Sequence, residues 1–502
     1  IHTYRITRLG LWNARAAGHD SHFVLGILDR YSTFPIPASV RSDITDTMSR
    51  YGRLTIRRTE TGELELVSDS PAILLEVSRQ KKIVELLTGQ LSPNAWGIAA
   101  FARGQVKQEL LKLGWPAEDL AGYTPGTPHE IALQQNGWSI RDYQNQAVDR
   151  FWDGGSGVVV LPCGAGKTIV GAGAMAVAKT NTLILVTNTV SARQWKAELL
   201  KRTSLTEDEI GEYSGSIKEL KPVTIATYQI LTTKKKSEYA HLSLLDANDW
   251  GLVIYDEVHL LPAPIFKMTA DLQARRRLGL TATLVREDGK EGDVFSLIGP
   301  KRYDAPWKDI EAQGYIAPAN CFEVRVDLTD DERMTYAMAN LDERYRMAAT
   351  SPVKFDVIKK LLAKHPKEPT LIIGQYLDQI AAISAELNIE QITGETPVDE
   401  RERLFEAFRQ QQIGALVVSK VANFSVDLPE ASVAIQVSGS YGSRQEEAQR
   451  LGRLLRPKAD GRSASFYTLI TRDTVDQDFA QNRQRFLAEQ GYSYQILDAH
   501  DL

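Results

Sequence analysis

The sequence predicts an α/β protein whose larger part is two tandem parallel-sheet units, preceded by an accessory region and interrupted once by a helical insertion. Three observations carry this. From about residue 138, apolar runs, turns and helical segments repeat as strand, turn, helix, a rhythm that calls for a parallel sheet covered by helices on both faces. A second series of such runs occupies 353–502. Between the two, over 304–352, the rhythm gives way to DLTDDERMTYAMANLDERYRMAA, a charged helical pattern read as an insertion or bridge.

Residues 1–90 read as helices at YRITRLGLWNARAAG, SHFVLGILDRY and the segment after Ala38, followed by two alternating runs, YGRLTIRR and ELELVS, joined through Thr61 and Gly62, and a last helix after Pro71. This is a helical module with one hairpin. Residues 91–137 form a second small module: the apolar run AWGIAAF, the amphipathic VKQELLKLGW, and AGYTPGTPHE, whose Pro/Gly content marks a linker. The first parallel-sheet unit, 138–303, has strand candidates VVVLP (158–162), TLILVT (182–187), VTIATY (223–228), GLVIYDE (251–257) and RRLGLTAT (276–283). The second has TLIIG (370–374), ALVVS (415–419), ASVAIQVS (431–438) and ASFYTLI (464–470). Ligands of such sheets bind at the carboxyl ends of the strands.

The 502 residues leave room for roughly three domains. A hydrophobic share of 43% and a charged share of 25% are those of globular chains, which excludes a disordered or fibrous protein. A formal charge of −5 excludes coating of nucleic acid by bulk electrostatics, so any polyanion must be gripped locally. Cys163 and Cys321 are the only cysteines, too few for a disulfide framework, and point to a reducing compartment, the cytoplasm. No apolar run approaches the roughly eighteen residues of a membrane span, so no membrane partner is expected.

LPCGAGKT (161–168) stands between a strand and a helical run, the setting of a phosphate-binding loop, although Leu161 takes the place of the usual first glycine. Pro162, Cys163, Gly164, Ala165 and Gly166 form the cradle, the two glycines letting main-chain amides turn toward phosphate oxygens. Lys167 then reaches the β- and γ-phosphates of ATP, and the Thr168 hydroxyl ligates Mg²⁺. YDEVH (255–259) ends another apolar strand, where Asp256 can hold the same metal and Glu257 can orient and deprotonate a water. In IRDYQNQAV, Gln144 offers both an acceptor and a donor to an adenine edge, with Arg141 to stack or pair beside it. Arg450, Arg453 and Arg456, three apart in QEEAQRLGRLLRP, fall along one helical face and suit transition-state charge. In GLTATLVREDGK, Arg286, Glu287 and Asp288 follow a core strand; as residues alone they read as a solvated loop, or as one in which the arginine pairs with the two carboxylates.

The ordered set RDYQ, LPCGAGKT, TNTVSARQW, IATYQ, DEVH, TAT, SKVANFSVDLPEA and QRLGRLLRP resembles the superfamily 2 helicases, and LTATLVRED resembles one branch, the XPB family, through its Arg-Glu-Asp triplet. The resemblance runs from about 138 to 475; 1–90 is similar to the family's amino-terminal region, 91–137 to its damage-recognition domain, and the insertion to its thumb. It implies two RecA-like domains and an ATP-driven translocase on double-stranded or forked DNA, opening duplex 3′-to-5′ in nucleotide excision repair. A nuclease or repair scaffold becomes a possible partner, and the nucleoid the place of action in a prokaryote. By matching position, Gln144 reads adenine, Lys167 and Thr168 hold phosphate and Mg²⁺, and Asp256 with Glu257 is the acidic pair. His259, Thr281 and Thr283 couple nucleotide state to DNA, Asp427 contacts ribose, Arg453 and Arg456 are the fingers with Gln449 and Arg450 beside them, and Arg286, Glu287 and Asp288 act in duplex opening. The segment VANFSVD departs from the family's usual KVGDTSFD. Two other readings remain at this stage: an RNA helicase or restriction-type translocase, and a DNA-binding scaffold with vestigial hydrolysis.

Overall fold

The structure, a computed structural model, describes residues 6–235, 238–239, 241–245, 247–261, 272–283, 291–419, 431–439 and 463–502. The chain divides into two compact units, one of residues 1–160 and 166–304, the other of 161–165 and 305–502.

In the first unit, helices Arg8–Ala16, Ser21–Tyr31 and Ala38–Ser49 enclose a small core of Leu11, Ile44 and Met48. Next come β1 (Leu54–Arg58), β2 (Leu64–Ser68), β3 (Leu87–Ser92), β4 (Ala95–Ile98) and β5 (Ala117–Asp119), ordered β3-β4-β2-β1-β5. All pairs are antiparallel except β1 with β5. The expected boundary between 90 and 91 is therefore corrected: it cuts β3, and the single hairpin is part of a five-stranded sheet. LTGQLS escaped detection because it is a largely exposed edge strand without apolar alternation. Helix Arg103–Lys112 packs Val106 and Leu110 against Leu54, Ile56 and Leu66 of this sheet.

The expected linker is also corrected. Thr127 N–H donates to Asp249 O at 2.9 Å, His129 N–H to Lys179 O at 3.0 Å, and Asn181 N–H to Thr127 O at 2.9 Å. Gly126, at φ 74°, lies so close to Gly251 that a Cβ would stand 2.2 Å from the Gly251 nitrogen. The segment is a strap hydrogen-bonded along the domain; proline and glycine removed its regular structure but not its pairing.

Seven parallel strands follow: β6 (Gly157–Val160), β7 (Thr182–Val186), β8 (Ile210–Tyr213), β9 (Val223–Thr227), then, after the small hairpin β10 (Lys234–Lys235) and β11 (Glu238–Tyr239), β12 (Leu252–Asp256), β13 (Arg276–Thr281) and β14 (Lys301–Asp304). Their order is β14-β6-β13-β12-β7-β9-β8. β6, β7 and β9 are buried at every position, which is why they read as continuous apolar runs. The carboxyl ends of β6 and β12 lie on one edge, separated by β13 alone.

The second unit repeats the plan with β15 (Ala319–Val326), β16 (Thr370–Ile373), β17 (Gln391–Ile392), β18 (Ala415–Val418), β19 (Val433–Gln436), β20 (Ala464–Thr471) and β21 (Tyr494–Asp498), ordered β17-β18-β16-β19-β20-β15-β21 and parallel throughout. The fold class expected from the sequence is the one observed. The insertion is corrected at its first half: β15 lies inside the sheet, paired along its length with β20. What remains outside is a helix pair, Asp330–Met338 and Leu341–Thr350, each opened by a capping box, Thr329 with Glu332 and Asn340 with Glu343. Among the described residues no helix is long and apolar enough to cross a membrane.

Candidate nucleotide site

The chain leaves β6 at Val160, turns through 161–166 and enters helix Lys167–Ala178. The turn closes with Ala165 N–H on Pro162 O at 3.2 Å, and both Gly164 and Gly166 take positive φ, 80° and 81°. Gly166 is fixed twice over: its conformation is left-handed, and a Cβ would stand 2.4 Å from Gln144 Nε2. Pro162 and Ala165 are buried, Cys163 and Thr168 half-buried, and Gly164 exposed. The first amides of the helix thus point where an anion is favoured.

Asp256 ends β12, and Glu257 follows in left-handed backbone, φ 48°, a conformation costing a non-glycine residue about 1 kcal/mol or more and found where function over-determines geometry. Lys167 Nζ lies 2.5 Å from Glu257 Oε1. The Asp256 carboxylate accepts from Trp195 Nε1–H on Oδ2 at 2.9 Å and from Glu257 N–H on Oδ1 at 3.1 Å, while the Tyr228 hydroxyl donates to the Asp256 carbonyl at 2.7 Å. Burial, and next the Glu257 carboxylate, push the Asp256 carboxyl up to about 6, against the opposing Lys167 charge and the two donors.

The sign of that shift yields a test. A carboxyl held above its unfolded value contributes stability that is complete below about pH 4 and is lost as pH rises through about 6. Asp256→Asn carries no charge to desolvate but turns its NH2 against one of the two N–H donors, so its stability relative to the parent is expected to be higher at pH 7.5 than at pH 5, by on the order of 1 kcal/mol after allowance for solvent at the carboxylate's rim. ATP turnover should fall to background; a difference in melting between variant and parent that is the same at both pH values by calorimetry would contradict the assignment.

His259 is buried, with Nδ1 2.6 Å from Thr281 Oγ1 and 3.5 Å from Glu257 Oε2. Thr281 spends its hydroxyl proton on Thr283 O at 2.5 Å and accepts from Thr283 N–H at 3.1 Å, so the His259 proton sits on Nδ1. Lys167, Glu257, His259, Thr281 and Thr283 thereby form one connected chain. Gln144 is placed against the loop, but its Oε1 already accepts Arg141 N–H at 2.9 Å as a helix cap, and Arg141 Nη1–H donates to Tyr143 Oη at 3.0 Å. The adenine-reading expectation for Gln144 thus meets a side chain whose acceptor has a structural task as well.

Arg286, Glu287, Asp288, Asp427, Gln449, Arg450, Arg453 and Arg456 lie outside the described residues. Sequence reasoning gave no role to Trp195 and Tyr228, although both stand in segments it singled out; the available signal was a buried aromatic N–H or O–H, which needs a partner.

Residues 310–501 match the family described as ERCC3/RAD25/XPB C-terminal helicase, 138–286 the type III restriction enzyme res subunit, and 1–92 a helicase conserved C-terminal domain. The chain is 66% identical over 502 residues to the "DNA 3'-5' helicase XPB" of Kineococcus radiotolerans, covering 100% of this chain and 90% of that one. It is 34% identical over 520 residues to the "General transcription and DNA repair factor IIH helicase/translocase subunit XPB" of Encephalitozoon cuniculi, covering 99% and 77%. Among solved structures, S. cerevisiae Dbp5 bound to RNA and ADP BeF3 superposes with TM-score 0.52 at 14% identity, covering 72% of this chain and 90% of that one, a likeness of fold. The chain belongs to the XPB family of DNA 3′-5′ helicases.

Proposed function

We propose that this chain is an ATP-driven DNA helicase that travels on duplex or forked DNA and opens it 3′-to-5′ in DNA repair. The observation that supports it most is the single edge of one parallel sheet on which Lys167, Asp256 and Glu257 converge, Lys167 within 2.5 Å of Glu257. The residues fit ATP with Mg²⁺. Thr168 and Asp256 are hard oxygen donors, and no group of three or more His, Cys, Asp or Glu among the described residues forms an all-protein cage. That is the donor set of an ion held by one or two protein ligands and phosphate oxygens. When bound, Mg²⁺ neutralises charge on the phosphates.

The chain's own residues do the rest. Lys167 exchanges Glu257 for phosphate oxygens, and the released Glu257 orients the attacking water and takes its proton. Pro162, Cys163, Gly164, Ala165 and Gly166 cradle phosphate, and Gln144 with Arg141 flanks the base. Because His259 touches both Glu257 and Thr281, movement of Glu257 is felt at Thr283, immediately before the segment carrying Arg286, Glu287 and Asp288, which we assign to strand opening. Arg453 and Arg456 supply transition-state charge with Gln449 and Arg450 in support, and Asp427 meets the ribose. The helices at 330–350 serve as the thumb, and the sheet of 54–119 belongs to the damage-sensing region, where a nuclease or repair scaffold would engage. The work is done in the cytoplasm, on the nucleoid in a prokaryote.

ATP turnover measured with duplex DNA, single-stranded DNA and RNA tests the reading. Duplex DNA is expected to stimulate it by about tenfold or more, within the range of turnover that motor enzymes span. Absence of stimulation by duplex would end the translocase reading, and stimulation by RNA alone would make the chain an RNA helicase.

A further inference from the structure

We infer that Trp195 is a positioning residue for the metal-side carboxylate, tying Asp256 to the helix that begins at the phosphate loop; this rests on the reading of Asp256 as a Mg²⁺ ligand. The terminal torsion of an aspartate is broad and roughly two-fold, so its carboxylate plane is not set by its own rotamer. Here it is set by two N–H donors, one on each oxygen: Trp195 Nε1–H at 2.9 Å on Oδ2 and Glu257 N–H at 3.1 Å on Oδ1. Each oxygen keeps a further lone-pair direction. Indole N–H is a donor only, so it favours the ionised, metal-binding carboxylate without competing for a proton.

The indole is itself held. Trp195 is 2% exposed and belongs to helix Thr189–Arg202, which follows β7. Its ring lies on Gly171, where a Cβ would stand 2.5 Å from Cη2 and 3.0 Å from Cζ3. Gly171 is four residues beyond Lys167 in the helix Lys167–Ala178, hence on the same face one turn along. One ring therefore touches the helix that presents Lys167 and Thr168 and, through its N–H, the carboxylate that completes the metal's donor set. The Tyr228 hydroxyl, 2.7 Å from the Asp256 carbonyl, fixes the backbone of the same residue from the end of β9, two strands away across β7. Outer-shell donors of this kind orient ligands, and their loss typically weakens metal affinity about 10–100-fold.

The test uses the full chain, binding of fluorescent ADP with Mg²⁺ and with EDTA, and the Mg²⁺ concentration for half-maximal ATP turnover. Trp195→Phe keeps an aromatic ring over Gly171 and removes the N–H; 3-benzothienylalanine at 195 keeps the bicyclic shape and removes only the N–H, which covers the case in which the phenylalanine variant fails to fold. We expect affinity in EDTA within about twofold of the parent, a Mg²⁺-dependent gain in affinity reduced about tenfold, and a matching rise in the Mg²⁺ requirement. An unchanged Mg²⁺ gain overturns the inference. So does an equal loss with and without Mg²⁺, because it makes the ring a space-filler. A parent chain that gains nothing from Mg²⁺ sinks the metal reading of Asp256 and the inference with it, and that result is distinct because it needs no variant.

Discussion

Lys167→Ala will abolish ATP turnover, lowering kcat by about 10³-fold, because the substitution acts twice at one place. It removes the cation that faces the phosphates, a loss of the order of 10²–10³ for one preorganised electrostatic group. It also strips Glu257 of its partner at 2.5 Å and Asp256 of the charge that opposes its protonation. Two carboxyl groups then meet an incoming polyanion with no lysine between them. Like charges so placed repel both the nucleotide and each other, so KM should rise as well. The loss should fall chiefly on turnover, since the Lys167 and Glu257 side chains keep 13% and 23% of their surface exposed and water reaches the carboxylate left behind, so the fold loses less than with a fully enclosed pair. Duplex-stimulated hydrolysis, measured beside a thermal melt, checks this. Turnover near the parent's would remove the phosphate site from this loop, and a large drop in melting temperature would make the pair structural.

How much of this was legible in the sequence depended on how local the signal was. β6, β7, β9 and β12 announced themselves because strands buried at nearly every position read as near-continuous apolar runs, interrupted here only by Thr182, Thr224, Thr227 and the terminal Asp256. β8, β14, β17 and β21 did not: each sits at a sheet edge and is only two to five residues long, too short to show a period, and β14 and β21 have no buried position as well. β15 was lost for another reason. Its alternating run, ANCFEVRV, carries Glu323 and Arg325 and lies next to the charged helices at 330–350, so its composition does not set it apart from theirs. At the site, the glycine and lysine spacing is contiguous and readable, and so is an acid at the end of a strand. The bonds from Trp195 and Tyr228 to Asp256 span 61 and 28 positions and exist only through the register of neighbouring parallel strands. No short pattern carries that information. The double duty of Gln144, facing the loop while capping its helix, is likewise a matter of geometry.

Asp119→Asn is expected to cost about 3–5 kcal/mol, the range for breaking a buried ion pair by removing one partner. Asp119 ends β5 and accepts from Arg103 Nη2 at 2.8 Å, Arg103 Nε at 3.0 Å and Lys107 Nζ at 2.9 Å, with the two cationic side chains only 3% and 7% exposed. Burial alone would raise its carboxyl, but the Lys107 and Arg103 charges and their hydrogen bonds hold it well below the ordinary range. Burial pushes Lys107 down to about 8, so at neutral pH it is still largely protonated. The amide would leave both cations buried without a counter-charge. A depressed carboxyl contributes stability that is complete above its unfolded value, near 4, and is lost as pH falls below it. The parent should therefore lose melting temperature steeply below about pH 4. The variant, already lower by about 10 °C at pH 7, should show a shallower acid slope. Adding Arg103→Met and Lys107→Met to it should recover much of the loss, because no buried cation is then left stranded beside the neutral amide. Should the single variant melt with the parent across pH 3–7, the three groups are solvated in the folded chain and the network holds nothing.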